Sequence, residues 1–141
     1  MDIRKLTDAY SVSPQITPDD VAAIKAAGFT TVVCNRPDRE IPEPLHAEAM
    51  RAAVEAAGLA FVLNPVLPGQ LTMDNVETHR RALDTAEGPV LAYCASGNRS
   101  SIVWALANAG RVPSDELIGA AARHGYQLAP FRGMIEQLAQ G

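Results

Sequence analysis

The chain has 141 residues, of which 48% are hydrophobic and 20% charged, and its formal net charge at pH 7 is −4. This length predicts one domain over residues 1–141 with a sizeable core, and the composition excludes a disordered chain. The acidic balance, without a run of lysine or arginine, argues against nucleic-acid binding. No apolar stretch approaches the roughly 20 residues that cross a membrane, and the first residues lack the apolar core of a signal peptide, so we expect a cytoplasmic protein.

Short β-prone runs alternate with alanine-rich helical segments along the chain. The predicted strands cover residues 9–13, 29–35, 59–66 and 89–94, and the predicted helices cover 17–28, 44–58, 72–88, 98–109, 114–124 and 130–139. Thr17 and Thr72 are placed to cap the helices that follow them, and Gly28 and Gly58 end theirs. This alternation predicts an α/β domain with a mainly parallel sheet, whose strands end at the edge where such folds bind ligands.

The segment C-A-S-G-N-R-S, residues 94–100, joins the last predicted strand to an apolar helix. The free amides of a helix start, together with a glycine turn, form an anion nest that stabilises a thiolate. Arg99 offers a bidentate fork to an oxyanion, and Ser100 is placed to donate a hydrogen bond to the sulfur. We therefore predict that Cys94 is a nucleophile for an anionic substrate. The predicted ligands of that anion are Arg99 and the loop residues Ala95, Ser96, Gly97 and Asn98. The alternative is an inert, buried thiol at an ordinary turn.

Three blocks of sequence, residues 6–38, 58–66 and 88–106, resemble a small bacterial domain: the phosphatase-like domain of beta-lactamase-hydrolase-like proteins. That family occurs alone or fused to sulfur dioxygenases of the metallo-beta-lactamase type, and the resemblance covers about residues 5–110. It implies a tyrosine-phosphatase-like, three-layer α/β fold with a four-stranded, mainly parallel central sheet in the order 1-2-4-3, flanked by helices. It also implies that Cys94 is the nucleophile and Arg99 the anion ligand. The family resembles both phosphatases and rhodanese-like sulfurtransferases.

Two features of the sequence favour sulfur transfer. Four residues separate Cys94 from Arg99, a spacing that resembles single-domain rhodaneses, whereas cysteine phosphatases have five. The family commonly has arginine where this chain has Ala95. Phosphatases of this fold also carry an acidic residue soon after the strand at 59–66, but residues 67–70 hold none. Asp74 and Asp38 are the candidate acids, and both also fit simple helix or turn positions.

The sequence therefore predicts an enzyme in which Cys94 takes a sulfane sulfur from thiosulfate or a persulfide and passes it to an acceptor thiol. Sulfite leaves as a stable anion, so this reaction needs no strong acid. The implied partners are a small anionic substrate, a thiol acceptor and, through the family, a sulfur dioxygenase; no cofactor is expected. The first alternative is a phosphatase that forms a phosphocysteine at Cys94. The second is an anion-binding or redox-sensing module without turnover.

Several other residues have two readings. Cys34, at the end of the second predicted strand, is either a resolving thiol for Cys94 or an inert buried thiol. Arg36 either adds positive charge beside the loop or pairs with an acidic residue of its own turn, Asp38 or Glu40. The three histidines, His46, His79 and His124, have no metal-ligand spacing, so we expect them at the surface and predict no metal site.

Overall fold

The computed structural model describes residues 1–141. Its strands are β1 (Arg4–Thr7), β2 (Tyr10–Ser13), β3 (Thr31–Cys34), β4 (Ala60–Leu63) and β5 (Val90–Tyr93). Its helices are α1 (Val21–Ala26), α2 (Ala47–Ala56), α3 (Met73–Thr85), α4 (Asn98–Ala107), α5 (Ser114–Ala122) and α6 (Arg132–Gln140). Short 3-10 turns precede α1, α2 and α6. No helix is both long and apolar enough to span a membrane.

The strands form one sheet in the order β1-β2-β5-β3-β4, in which only the β1–β2 pair is antiparallel. The predicted three-layer α/β class is confirmed, but the predicted strand count and order are wrong. Among the four parallel strands, counted along the chain, the order is 1-4-2-3 and not 1-2-4-3. Both orders put the second and fourth strands side by side in the centre, and right-handed crossovers permit both. Local sequence patterns therefore could not decide which outer strand lies beside which central one.

The fifth strand, β1, was not predicted. It is only four residues long, and Leu6 is its one buried side chain. A four-residue edge strand with a single apolar side chain has no alternating apolar pattern from which the sequence could predict it.

Two apolar layers cover the faces of the sheet. On one face, α1 and α2 pack on alternate residues of the central strands, including Val32, Cys34, Leu91 and Tyr93. On the other face, α3 to α6 pack on the intervening residues, such as Val33 and Ala92. The predicted caps are present, since Thr72 Oγ1 accepts a hydrogen bond from the Asn75 amide and Thr17 forms a capping box with Asp20.

The alternation of helix layers positions the site. The chain leaves β2 and β3 toward α1 and α2, whereas it leaves β5, which lies between them, toward α4 on the opposite face. Connections that diverge from neighbouring parallel strands open a crevice at the carboxyl ends of the strands. The loop that begins at Cys94 therefore lies at the point where this fold class binds ligands.

Candidate active site

The loop after β5 holds the thiol of Cys94. Gly97, just before α4, has a φ of 97°, in the left-handed region that favours glycine. This conformation turns the Gly97 N–H toward the sulfur, to which it donates a hydrogen bond over 3.1 Å. A Cβ at Gly97 would also collide with the hydroxyl of Tyr126, so the backbone and its surroundings both require glycine here.

Cys94 is completely buried in this structure. A substrate can therefore reach the sulfur only after the loop or the side chains around it move. Its sulfur accepts the Gly97 amide, however, and Cys94 belongs to neither of the two apolar clusters that cover the sheet.

The other loop residues predicted to bind an anion have partners within the chain. Ala95, Ser96 and Asn98 are exposed. The Asn98 amide donates to Oγ of Ser96 over 3.2 Å, while the Gly97 amide points to the sulfur. These two amides therefore have acceptors within the loop itself. Anion binding by the four loop residues remains a prediction.

Tyr126, which the sequence analysis did not single out, holds the loop from the opposite side. It lies between α5 and α6, and its hydroxyl donates to the carbonyl of Ser96 over 2.8 Å. Arg4 of β1 donates to the same hydroxyl over 3.0 Å, and its guanidinium lies 5.4 Å from the centre of the Tyr126 ring. The loop that follows β5 is thereby connected to the edge strand and to the C-terminal part of the chain.

Arg99 makes a bidentate ion pair with Glu40. Its two terminal nitrogens donate to the two carboxylate oxygens over 2.8 and 2.7 Å, and one of them also donates to the carbonyl of Val66. The hydrogen bond that Arg99 donates to Glu40 raises the pKa of Arg99, and Cys94 makes a smaller contribution in the same direction. The fork predicted to bind a substrate oxyanion is thus occupied by a carboxylate of the chain itself.

Arg36 binds the same carboxylate. Its Nε donates to Oε1 of Glu40 over 3.3 Å, and one terminal nitrogen donates to the side chain of Gln15. Of the two readings of Arg36, the pairing with Glu40 is present, and it also keeps this charge close to Arg99. The two arginines hold the pKa of Glu40 below its usual range, mainly through the hydrogen bond from Arg99.

The hydroxyl of Ser100 does not donate a hydrogen bond to the sulfur of Cys94. It donates to Oδ1 of Asn35 over 2.8 Å, and Nδ2 of Asn35 in turn donates to the carbonyl of Asn64. Because Asn35 uses its amide nitrogen on Asn64, its oxygen can only accept, and the single hydroxyl proton of Ser100 is fixed there. The predicted hydrogen bond from Ser100 to Cys94 is therefore absent in this structure.

Asn35 belongs to a buried chain of polar groups beneath the loop. Asn64 and Asn75 bind each other through their side chains over 2.8 Å, and Nδ2 of Asn64 faces Nδ1 of His79 at 3.5 Å. Nε2 of His79 lies 2.8 Å from the hydroxyl of Tyr10, which donates to the carbonyl of Ser100. The chain of contacts thus returns to Ser100 and links the start of α4 to the segment after β4.

His79 was expected at the surface, but it is completely buried. The hydroxyl of Tyr10 donates its only proton to the carbonyl of Ser100, so it can only accept from His79. His79 therefore donates to Tyr10 from Nε2, and its Nδ1, which faces Nδ2 of Asn64, is the acceptor. This tautomer is neutral, and burial lowers the pKa of His79 to about 3. A polar-faced helix pattern does not reveal a single buried histidine, which explains the wrong prediction.

Cys34 lies on the face of the sheet that packs against α1 and α2, and its register partner on β5 is Tyr93. Its thiol donates to the carbonyl of Arg36, and burial raises its pKa. The hydroxyl of Tyr93 is buried without a hydrogen-bond partner, and burial raises its pKa as well. Both cysteines are free thiols, and the resolving role of Cys34 remains a prediction that mass spectrometry after mild peroxide treatment tests.

The two candidate acids have different surroundings. Oδ1 of Asp38 accepts the amide of Ala47 over 2.8 Å at the start of α2, and its other oxygen faces His46 at 4.0 Å. Asp74 is exposed in the first turn of α3. Asp38 therefore has a defined structural contact, whereas Asp74 is open to solvent next to Asn75 of the buried polar chain.

The fold and the cysteine loop together define a tyrosine-phosphatase-like α/β domain. A family model described as "Beta-lactamase hydrolase-like protein, phosphatase-like domain" matches residues 2–111, and the chain belongs to this family. The predicted family is thus confirmed.

Among curated proteins, the Xylella fastidiosa (strain 9a5c) beta-lactamase hydrolase-like protein is 32% identical over 99% of this chain, which spans only 33% of that relative. Among solved structures, one from Neisseria meningitidis, provisionally described as a phosphatase, has a TM-score of 0.82 at 36% identity and covers 98% of this chain and 99% of its own. Pseudomonas aeruginosa TpbA is similar in fold, with a TM-score of 0.65 at 19% identity over 99% of this chain and 83% of its own.

Proposed function

We propose that this chain is a phosphatase that cleaves phosphate monoesters through a phosphocysteine at Cys94. The observation that carries the proposal is the sulfur of Cys94 at a strand-to-helix junction, where it accepts the Gly97 amide just before the helical turn that contains Arg99. Displacement at phosphorus needs a positioned nucleophile together with donors for the equatorial oxygens. The phosphatase-like family and its structural relatives favour phosphate over sulfur as the group transferred.

The proposed reaction has two steps. In the first, the Cys94 thiolate attacks phosphorus, an S–P bond forms, the bond from phosphorus to the leaving oxygen breaks, and that oxygen takes up a proton. In the second, water attacks phosphorus and loses a proton, the S–P bond breaks, and inorganic phosphate leaves the regenerated thiolate. Arg99 and loop amides stabilise the equatorial oxygens in both steps.

We assign the proton donor of the first step to Asp74. Asp38, its rival, already accepts the Ala47 amide, and residues 67–70 contain no acid. Asp74 follows the segment after β4, and its neighbour Asn75 binds Asn64 and the carbonyl of Pro65 in that segment.

Sulfur transfer through a Cys94 persulfide is the second candidate, because only four residues separate Cys94 from Arg99. It would need an acceptor thiol. A sulfur dioxygenase partner belongs to this reading and stays a proposal, because the chain matches only a third of its curated relatives.

The test is a parallel assay of the wild type and Cys94→Ser, with an aryl phosphate in one arm and thiosulfate plus an acceptor thiol in the other. We expect Cys94-dependent phosphate release and trapping of a phosphocysteine by rapid acid quench. Cys94-dependent formation of the acceptor's persulfide with release of sulfite, without phosphate release, would instead establish sulfur transfer. No Cys94-dependent reaction in either arm would leave the anion-binding or redox-sensing module as the function.

A further inference from the structure

Glu40 is the one acidic residue in direct contact with the cation of the candidate active site. It ends a 3-10 turn, Asp38–Glu40, that follows β3. Its side chain is 20% exposed and that of Arg99 is 15% exposed, so both charges are largely withdrawn from water. The carboxylate binds Arg99 through both oxygens and Arg36 through one.

The charges in this cluster can be counted. Arg99 and Arg36 contribute two positive charges and Glu40 one negative charge, so the group in mutual contact has a net charge of +1. The loop residues 95–98 are uncharged, and the proposed Cys94 thiolate would lower the sum further, to zero. Arg4, the cation tied to the loop through Tyr126, is already paired with Asp2 over 2.7 Å.

We propose that Glu40 is a specificity-determining residue of the Cys94 site: by occupying the Arg99 fork, it makes the site favour singly charged anions over doubly charged ones. The inference rests on the proposed function, because it requires the anionic group of the substrate to lie between Cys94 and Arg99. For a phosphate monoester, whose second ionisation lies near pH 6, the favoured form is the monoanion.

The physical reason is that a second negative charge on the ligand interacts unfavourably with the nearby Glu40 carboxylate. Interactions between charges a few ångströms apart are large where water is excluded. The lowered pKa of Glu40 means that this carboxylate stays charged at neutral pH. A site with two unpaired arginines would instead gain more from a dianion than from a monoanion.

A pure positioning role for Glu40 predicts the opposite effect of its removal. If Glu40 only orients Arg99, then neutralising it would loosen the guanidinium and weaken the binding of every anion. If Glu40 competes for the fork, its neutralisation strengthens anion binding, and most of all for dianions.

The experiment measures binding without turnover. Cys94→Ser and the double variant Cys94→Ser/Glu40→Gln are titrated at pH 7.5 with sulfate, a dianion, and methyl sulfate, a monoanion with the same tetrahedral head. Neither probe changes its protonation near this pH. Binding is followed through the backbone amide signals of Gly97 and Arg99. The matched control is Glu43→Gln in the same background, because Glu43 is an exposed acid of the next 3-10 turn and forms no ion pair.

We expect Cys94→Ser to bind methyl sulfate at least as tightly as sulfate. Glu40→Gln should tighten sulfate binding by about tenfold and methyl sulfate binding by a smaller factor, whereas Glu43→Gln should change neither. Sulfate binding that is unchanged or weaker in the Glu40→Gln variant would overturn the inference and leave the proposed function standing. If neither probe shifts the loop signals in any variant, the anion site itself is absent, and the proposed function fails together with the inference. Should Glu40→Gln not fold, a preference of Cys94→Ser for sulfate over methyl sulfate overturns the inference by itself.

Discussion

The hydroxyl of Ser100 donates to Asn35 over 2.8 Å, although Ser100 lies directly after the arginine of the cysteine loop. This contact anchors the start of α4 to the end of β3. Ser100 therefore has a structural role in this state, and the sulfur of Cys94 does not depend on its hydroxyl.

The first prediction concerns the cost of breaking this contact. Asn35→Ala leaves the Ser100 hydroxyl and the Asn64 carbonyl without partners in a fully buried place, so the free energy of unfolding should fall by about 2–4 kcal/mol. Ser100→Ala leaves only Oδ1 of Asn35 unpaired and should cost about half as much. Urea denaturation of both variants measures the difference.

The Ser100→Ala variant also tests whether the Ser100 hydroxyl influences the reactivity of the Cys94 sulfur. Iodoacetamide should alkylate Cys94 in the folded Ser100→Ala variant at a rate within about twofold of that in the wild type. A change of tenfold or more would show that Ser100 acts on the sulfur after all.

The second prediction concerns His79 and the pH dependence of stability. Burial lowers the pKa of His79 from 6.5 to about 3. Between these two pH values, His79 is protonated in the unfolded chain and neutral in the folded chain. The contribution of His79 to the free energy of unfolding is therefore complete above pH 6.5 and is lost as the pH falls toward 3. In this range, the free energy of unfolding decreases by at most about 1.4 kcal/mol per pH unit because of His79.

His79→Gln removes the titrating group. Its free energy of unfolding should be lower than that of the wild type at pH 7, and it should fall less steeply between pH 6 and pH 4. Urea titrations at several pH values give both slopes, and the carboxylates, which titrate in both proteins, cancel in the comparison. Parallel slopes would mean that His79 is not buried in its neutral form.

Local patterns were enough to predict most of the elements. Three of the four parallel strands, β3, β4 and β5, are β-branched or apolar runs. Helix ends are marked by residues such as Thr72 and Gly58, whose roles depend on neighbours a few positions away. The candidate nucleophile was predictable for the same reason, because Cys94, Gly97 and the start of α4 form one continuous segment.

The features that the sequence did not predict all depend on contacts between residues far apart in the chain. Glu40 and Arg99 are 59 positions apart, and Tyr126 reaches Ser96 over 30 positions. Nothing in the segment around Glu40 distinguishes an acid that binds Arg99 from an acid of a solvated turn. The strand order was missed for a similar reason, since hydrophobic pattern and crossover handedness allow more than one arrangement.

The third prediction concerns the proton donor. Because Asp74 is proposed to protonate the leaving oxygen, Asp74→Asn should lower kcat for phenyl phosphate by about 10²-fold and kcat for 4-nitrophenyl phosphate much less, since 4-nitrophenolate leaves without a proton. Asp38→Asn should instead affect stability, because it weakens the acceptor of the Ala47 amide. An equal loss of kcat on both substrates in Asp74→Asn would remove Asp74 from this role.

The last prediction concerns the glycine of the loop. Gly97→Ala combines a left-handed backbone with a collision against the Tyr126 hydroxyl, and it should lower the free energy of unfolding by about 2–4 kcal/mol. Gly28→Ala is the matched control, because Gly28 has nearly the same φ of 98° but no atom within 4 Å of the added Cβ. It should show the backbone cost alone, about 1–2 kcal/mol.

Tyr126→Phe separates the two contributions at the loop. It removes the atom closest to the added Cβ and the hydrogen bond to Ser96, so by itself it should cost about 1 kcal/mol. In the Gly97→Ala/Tyr126→Phe double variant, the losses should be smaller than their sum by at least about 0.5 kcal/mol, because part of the collision is gone. Additive losses in urea denaturation would mean that the Tyr126 hydroxyl does not restrict the loop that follows β5, and that the contact between Tyr126 and Ser96 does not hold this loop in place.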